Sequence, residues 1–230
     1  MKKKSGIAVV ALSGGMDSCV TAAIADLNYE LAVLHVNYGQ RTENRELKAF
    51  NDVTSHYRIT NKLIVNQSHL AEIGHSSLTE EDIKVSKADL RTKKVPSSYV
   101  PFRNANILSA CVSWAEVLNA SAVFIGAVNE DSSGYPDCRP EFFQAFEQAA
   151  LLGTKNETNI KIETPLINFS KEEIVLKGIE LGAPLHLTWS CYTNEDEACG
   201  ECDSCALRLR GFQKAGFSDP INYKQRPVYF

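Results

Sequence analysis

Two groups of residues in this chain are spaced for chemistry. The first is Ser13-Gly14-Gly15-Met16-Asp17-Ser18, which follows the apolar run Ile7 to Leu12 and precedes the helical pattern of Cys19 to Leu27. A strand, a glycine turn and a helix N-terminus together make an anion site. Unpaired backbone N–H groups point outward there, and the helix dipole favours negative charge. The glycines let the backbone come close to a phosphate, and the Ser13 and Ser18 hydroxyls add donors. The second group is Cys191, Cys199, Cys202 and Cys205, spaced C-x7-C-x2-C-x2-C. Four thiolates satisfy a tetrahedral Zn²⁺ with no open position, which reads as one structural zinc per chain. A ferredoxin run places a further cysteine where Leu209 stands and a proline right after it, although a cluster ligated partly by Cys191 stays open on spacing alone. Asp203 is the expected cap of the helix that carries Cys205.

Other candidates are weaker by themselves. Arg103, in Val100-Pro101-Phe102-Arg103-Asn104, opens a helical stretch. A cation at a helix N-terminus opposes the dipole unless an anion is also there, and a guanidinium fork suits phosphate oxygens. A surface arginine fits the same sequence equally well. The loop from Gly126 to Arg139 holds Tyr135, Asp137 and Arg139. These suit, in turn, stacking on a planar heterocycle, accepting hydrogen bonds from a guanine-like edge and holding a carboxylate. On chemistry alone the plainer reading, a Gly/Pro turn with a solvated ion pair, takes precedence. Asn37-Tyr38-Gly39-Gln40-Arg41 reads as a polar turn at a strand end. Residues 67–99 read as an irregular polar connection: a lid, an oligomer contact or a solvated loop.

The elements that must position these residues alternate. Strands are expected at Ile7–Leu12, Leu31–Val36, Lys62–Val65, Ala122–Gly126 and Ile160–Glu163. Helices are expected at Ser18–Asn28, Thr42–Tyr57, Asn104–Asn119, Glu141–Leu152 and from Ser170, where Ser170-Lys171-Glu172-Glu173 forms a capping box. This predicts an α/β fold, an open doubly wound parallel sheet over residues 1–185, with a small four-cysteine zinc knob over 186–230 packed on it. The chain of 230 residues is long enough for such a core. Its net charge of −4 lacks the basic surplus of a protein that grips nucleic acid, which leans toward a small-molecule substrate. No apolar run has membrane-span length, and the short run after Lys4 does not make a signal peptide, so the expected place is the cytoplasm. Cys19 and Cys111 read as core residues, and Cys138 is given no nucleophilic role.

SGGMDS resembles the pyrophosphate loop (PP-loop) of the ATP pyrophosphatase superfamily, whose members cleave ATP between its α and β phosphates. The whole chain resembles the 7-cyano-7-deazaguanine synthase family. The likeness runs through YGQR at 38–41, VPFRN at 100–104, SGYPDCRPEF at 133–142, ETPL at 163–166, SCY at 190–192 and CGECDSCALRLRG at 199–211. Phe102 stands where many members carry a small residue, and Asn37 where an aspartate is common. The resemblance implies an adenine nucleotide alpha hydrolase-like fold and a homodimer. It implies an ATP-dependent carbon–nitrogen ligase that converts 7-carboxy-7-deazaguanine and ammonia to the nitrile through adenylylated intermediates, with Mg²⁺ accompanying ATP. It places Leu12, Ser13, Gly14, Gly15, Met16, Asp17, Ser18 and Cys19 at ATP, Asp17 and Arg103 at the chemistry, and Tyr135, Asp137 and Arg139 at the deazaguanine. The alternatives are a PP-loop tRNA-modifying enzyme such as an iron–sulfur thiolase, and a zinc-knuckle module that binds nucleic acid without catalysis.

Overall fold

The computed structural model describes residues 4–91, 94–129 and 134–229. Five strands form one parallel sheet: β1 (Ile7–Ala11), β2 (Glu30–Asn37), β3 (Asn61–Asn66), β4 (Ala122–Ile125) and β5 (Lys161–Glu163). Their order is β3-β2-β1-β4-β5. Strand order reverses between β1 and β4, so the crevice beyond their carboxyl ends is the place where such sheets bind ligands. Ala11 aligns with Ile125 of β4, so the loops leaving β1 and β4 start level with each other, while β2 runs three residues past Leu34, the partner of Ala11, to Asn37.

The helices are α1 (Met16–Asp26), α2 (Glu43–His56), α3 (His69–Ile73), α4 (Arg103–Val117), α5 (Pro140–Gly153), α6 (Lys171–Glu180) and α7 (Asp203–Ala215). Successive side chains of a strand point to opposite faces. Val9 and Ala11 therefore join Leu108, Cys111 and Phe143 of α4 and α5. Ala8 and Val10 join Cys19, Ala22, Phe50 and Val53 of α1 and α2 on the other face. Central strands buried on both sides must be apolar throughout, as β1 and β4 are. β3 lies at an edge and alternates half-buried with exposed residues.

Helices α6 and α7 pack beside α1 through Met16, Val20, Ile174, Val175 and Phe212. The start of α6 is fixed by the expected capping box: Ser170 Oγ accepts from Glu173 N–H, and the Glu173 carboxylate accepts from Ser170 N–H at 2.8 Å. The cap of α7 is Cys202 rather than Asp203, which is the first helical residue. The chain must turn at Cys202 to bring its sulfur to the other cysteines, and this leaves Asp203 inside the helix. Ala49 of α2 packs against Trp189, Cys191 and Cys205, so the cysteine region rests on the α2 face of the sheet domain.

Segment 67–99 is, among its described residues, irregular as expected apart from one short helix. It contains α3, and the Arg41 side chain straps down the turn that follows. Arg41 Nε donates to Ser77 O at 2.6 Å, and its Nη2 donates to the carbonyls of Glu80 and Ile83 at 2.5 and 2.9 Å. Farther on, Ala88 N–H donates to Glu201 O at 2.8 Å, and Lys87 pairs with the Glu201 carboxylate at 2.8 Å. The segment thus touches the cysteine region at residues 87 and 88 before Ser97 returns to Ser77, whose N–H donates to Ser97 O at 2.7 Å. Among the described residues no helix is long and apolar enough to cross a membrane.

Candidate active site

The loop after β1 is built by its own hydroxyls. Gly15 N–H donates to Ser13 Oγ at 3.2 Å, Ser13 and Ser18 hydroxyls are bonded at 3.1 Å, and Ser18 Oγ donates to Gly15 O at 3.0 Å. Gly15 stands at the N-cap of α1, and no side chain caps that helix. Its first-turn N–H groups are therefore left to an anion in the cleft. Gly14 has φ +88°, and a Cβ there would lie 2.6 Å from Glu46 O and 2.9 Å from Phe50 N. The loop is clamped against the α2 backbone, and only glycine fits. Trp189 N–H donates to Gly14 O at 2.9 Å and holds it from the other side.

Leu12, Ser13, Gly15, Met16, Asp17 and Ser18 line the cleft. Gly14 and Cys19 do not: Gly14 is buried against α2, and Cys19 is fully buried beneath α1, its thiol pushed up to about 12 by burial. Arg103, first residue of α4, lines the opposite wall. Its Nη1 donates to Tyr38 Oη at 3.0 Å, and the guanidinium lies 5.4 Å from the Tyr38 ring centroid. Burial opposes its charge, but Tyr38, Tyr135, Tyr192 and Asp137 around it more than offset this and hold it protonated.

Among the wall residues that escaped the sequence reading are Lys171 and Glu46. Lys171, first residue of α6, pairs through Nζ with Asp17 Oδ2 at 2.6 Å. A Cβ on Gly211 would lie 2.8 Å from Lys171 O, so α7 is pressed onto the first turn of α6 and fixes where that lysine sits. A cation at a helix N-terminus was the signal used for Arg103, and Lys171 just after the Ser170 cap carries the same signal. Two helices thus start with a cation that lines one cleft, Lys171 set against the Asp17 carboxylate and Arg103 beside the Asp137 carboxylate that accepts from the first turn of α4. Asp17 Oδ1 is buried with no hydrogen-bond partner among the described residues, an acceptor left for a cation or a ligand donor. The second missed residue is Glu46. Its Oε1 accepts from Thr42 Oγ1 at 2.9 Å and its Oε2 from Gln40 Nε2 at 3.1 Å. Burial pushes its carboxyl up to about 6 against those two bonds. Nothing in sequence separates this glutamate from the other acids of α2.

The loop after β4 divides. Tyr135 lines the cleft, its hydroxyl 2.9 Å from Ser98 Oγ and its ring 5.6 Å from that of Tyr99. Cys138 also lines it, and burial raises its thiol to about 11, too high for a nucleophile at neutral pH. Asp137 is buried behind the wall. Its Oδ2 accepts from Asn104 N–H at 2.9 Å, and its backbone O accepts from Asn104 Nδ2 at 2.9 Å. It caps the first turn of α4 and so seats Arg103. Arg139 is exposed and does not line the cleft. Ser133 of the SGYPDCR stretch lies outside the described residues.

The four cysteine sulfurs converge. All lie within 4.8 Å of one another, and Cys199 Sγ is 3.8 Å from Cys205 Sγ. A tetrahedron with Zn–S bonds of about 2.3 Å has S–S edges of about 3.8 Å, so the set fits zinc. The N–H groups of Thr193 and Cys199 point to Cys191 Sγ, and those of Glu201 and Cys202 to Cys199 Sγ, at 3.3–3.5 Å, which favours thiolates. An iron–sulfur cluster must hold several atoms between its thiolates, and these sulfurs are too close together for that.

Comparison with known proteins joins this geometry to a family. The queuosine biosynthesis protein QueC family matches residues 7–216. A 7-cyano-7-deazaguanine synthase of Chlorobium phaeobacteroides is 60% identical over 223 residues, 96% of this chain and 99% of that protein. A protein of the same name from Chloroherpeton thalassium matches with the same identity and coverage. Among solved structures, the U34-tRNA thiolase NcsA of Methanococcus maripaludis with its [4Fe-4S] cluster aligns with a TM-score of 0.47 and 17% identity, over 84% of this chain and 61% of that one. That likeness is too slight to carry an argument. With one family's match running from β1 to just past α7, and relatives this similar over almost their whole length, the chain belongs to the queuosine biosynthesis protein QueC family.

Proposed function

We propose that this chain is a 7-cyano-7-deazaguanine synthase that uses ATP to turn 7-carboxy-7-deazaguanine and ammonia into the nitrile. The observation that carries the reading is the pairing of an uncapped α1 N-terminus with Lys171 and Arg103, all facing one cleft at the switch point of the sheet. A carboxylate is a poor electrophile because its leaving group would be oxide. Its oxygen attacks the α-phosphorus of ATP, pyrophosphate leaves, and the acid now carries AMP as a leaving group. Ammonia displaces AMP to give the amide. The amide oxygen is adenylylated by a second ATP, and loss of AMP gives the nitrile.

The protein's part is placement and charge stabilisation. Backbone N–H groups of the Ser13–Ser18 loop cradle phosphate oxygens, with Leu12 and Met16 beside them. Lys171 and Arg103 neutralise charge that builds on the α-phosphate and the leaving group. Mg²⁺ bound with ATP would screen the polyphosphate, and Asp17 Oδ1 is the acceptor available to it. Tyr135 offers its ring to the heterocycle, while Asp137 serves from behind by seating α4. The four thiolates, holding zinc, would fix the segment that carries Trp189 against the loop.

One incubation tests the reading: purified zinc-loaded protein with 7-carboxy-7-deazaguanine, ammonium, Mg²⁺ and ATP, read by mass spectrometry. Nitrile with AMP and pyrophosphate is the expected result. Nitrile with ADP would overturn the mode of activation, and no product would overturn the function. The homodimer implied by the family is checked by light scattering on the same sample.

A further inference from the structure

The nitrogen that enters as ammonia carries three hydrogens, and the nitrile nitrogen carries none. One proton must leave as ammonia becomes an amide, and two more as the adenylylated amide eliminates AMP. Whatever holds the nitrogen must therefore sit beside a proton acceptor for both halves of the reaction. The anion-binding groups cannot serve, because Lys171 and Arg103 are cations that stabilise the leaving phosphate. Two carboxylates line the cleft among its described residues, Asp17 and Glu46. Asp17 is held in an ion pair with Lys171 at 2.6 Å. Desolvation pushes upward the ionisation of the buried Tyr38 phenol, of the half-buried Tyr192 phenol and of the Cys138 thiol.

We propose that the Glu46 carboxylate is the base that takes the N–H protons from the nitrogen in amide formation and in the elimination to nitrile. This inference rests on the function proposed above. Glu46 is fixed for the task from both sides. Thr42 Oγ1 and Gln40 Nε2 each donate to one of its oxygens, and the Gly14 clamp places its backbone directly under the phosphate loop. Gln40 is itself held, because its Oε1 accepts from Tyr38 N–H at 2.8 Å. The electron bookkeeping closes without a further reagent. In amide formation the ammonia lone pair forms the C–N bond, the C–O bond to AMP breaks, and the proton goes to Glu46. In the elimination two N–H bonds become C≡N π electrons and a lone pair as the second C–O bond to AMP breaks. Each proton passes from Glu46 to water at the cleft mouth.

The variant Glu46→Gln keeps the site's shape. Its Nε2 donates to Thr42 Oγ1, whose own hydrogen turns to Cys191 O at 3.3 Å, and its Oε1 accepts from Gln40 Nε2. Adenylylation of the acid moves no N–H proton, so acid-dependent exchange of labelled pyrophosphate into ATP reports it alone. The expected result for Glu46→Gln is exchange within twofold of the unsubstituted enzyme. Nitrile formation, from the acid with ammonia or from the preformed amide, falls by about 100-fold to 1,000-fold, the usual weight of a general base. Exogenous acetate should restore part of that rate in Glu46→Gly. Nitrile formation at full rate in Glu46→Gln would overturn the inference and leave the function standing. Equal loss of exchange and nitrile would also overturn it, by making Glu46 a scaffold residue. Absence of exchange and nitrile in the unsubstituted enzyme would instead count against the function itself.

Discussion

The clamp on the phosphate loop can be measured with one methyl group. Gly14→Ala adds a Cβ at φ +88°, 2.6 Å from Glu46 O, 2.9 Å from Phe50 N and 3.0 Å from Ala49 Cβ. Two of these neighbours are backbone atoms of α2, so the helix or the loop must shift by several tenths of an ångström. An alanine in the left-handed region costs about 1–2 kcal/mol, and overpacking a close-packed site adds about 1–3 kcal/mol. The total is about 2–5 kcal/mol, which in a chain of this length lowers Tm by roughly 4–20 °C at about 2–4 °C per kcal/mol. Gly216→Ala is the control. Gly216 has φ +75° with nothing within 4 Å of its Cβ position, so it carries the backbone term without the clash. Scanning calorimetry of both variants, with pyrophosphate exchange on each, separates the two terms. Gly14→Ala should melt below Gly216→Ala and lose most of its exchange activity, since a misplaced phosphate loop costs about 100-fold per ångström. Equal melting of the two variants would refute the close approach of loop and helix.

Four further expectations follow from the same geometry. Lys171→Met should cut pyrophosphate exchange by about 100-fold, the weight of one electrostatic donor at a developing anion, with the fold kept as judged by circular dichroism. Zinc analysis by mass spectrometry should give one zinc per chain, and chelation or Cys205→Ser should lower Tm and unseat Trp189, seen as a shift in its fluorescence. Arg41→Ala removes the donors to Ser77, Glu80 and Ile83, and hydrogen exchange should quicken over residues 75–83 with little change in β1 and β2. Glu46 faces Arg103, Glu43, Thr42 and Gln40, and burial lifts its carboxyl to about 6. As a base it must be ionised, so amide-to-nitrile turnover should rise with pH below about 6 and flatten above it, with that limb absent in Glu46→Gln. Because the folded-state value is raised, its stabilising contribution is present at low pH and is lost as pH rises through about 6.

Local signals sufficed for much of this protein. An apolar run, two glycines and a helical pattern locate the strand, turn and helix around Ser13–Ser18, because strand period, turn chemistry and helix start are short-range properties. The capping box announces α6, and the cysteine spacing announces a tetrahedral thiolate set. Alternation of strands and helices gives a parallel sheet, since parallel neighbours need crossovers. Tertiary packing decided the rest. Asp137 and Arg139 stand two residues apart in one loop, yet one caps α4 from within and the other faces solvent, because a 3₁₀ turn at Pro136–Cys138 points them apart. Lys171 meets Asp17 across 154 residues of chain. Arg41 looked like part of a polar turn, but its fork reaches carbonyls more than 35 residues away. Glu46 is one acid among several on an amphipathic helix until the sheet order brings α2 beneath the phosphate loop. Hydrogen-bond partners and burial depend on which elements meet, and sequence-local patterns carry no record of that meeting.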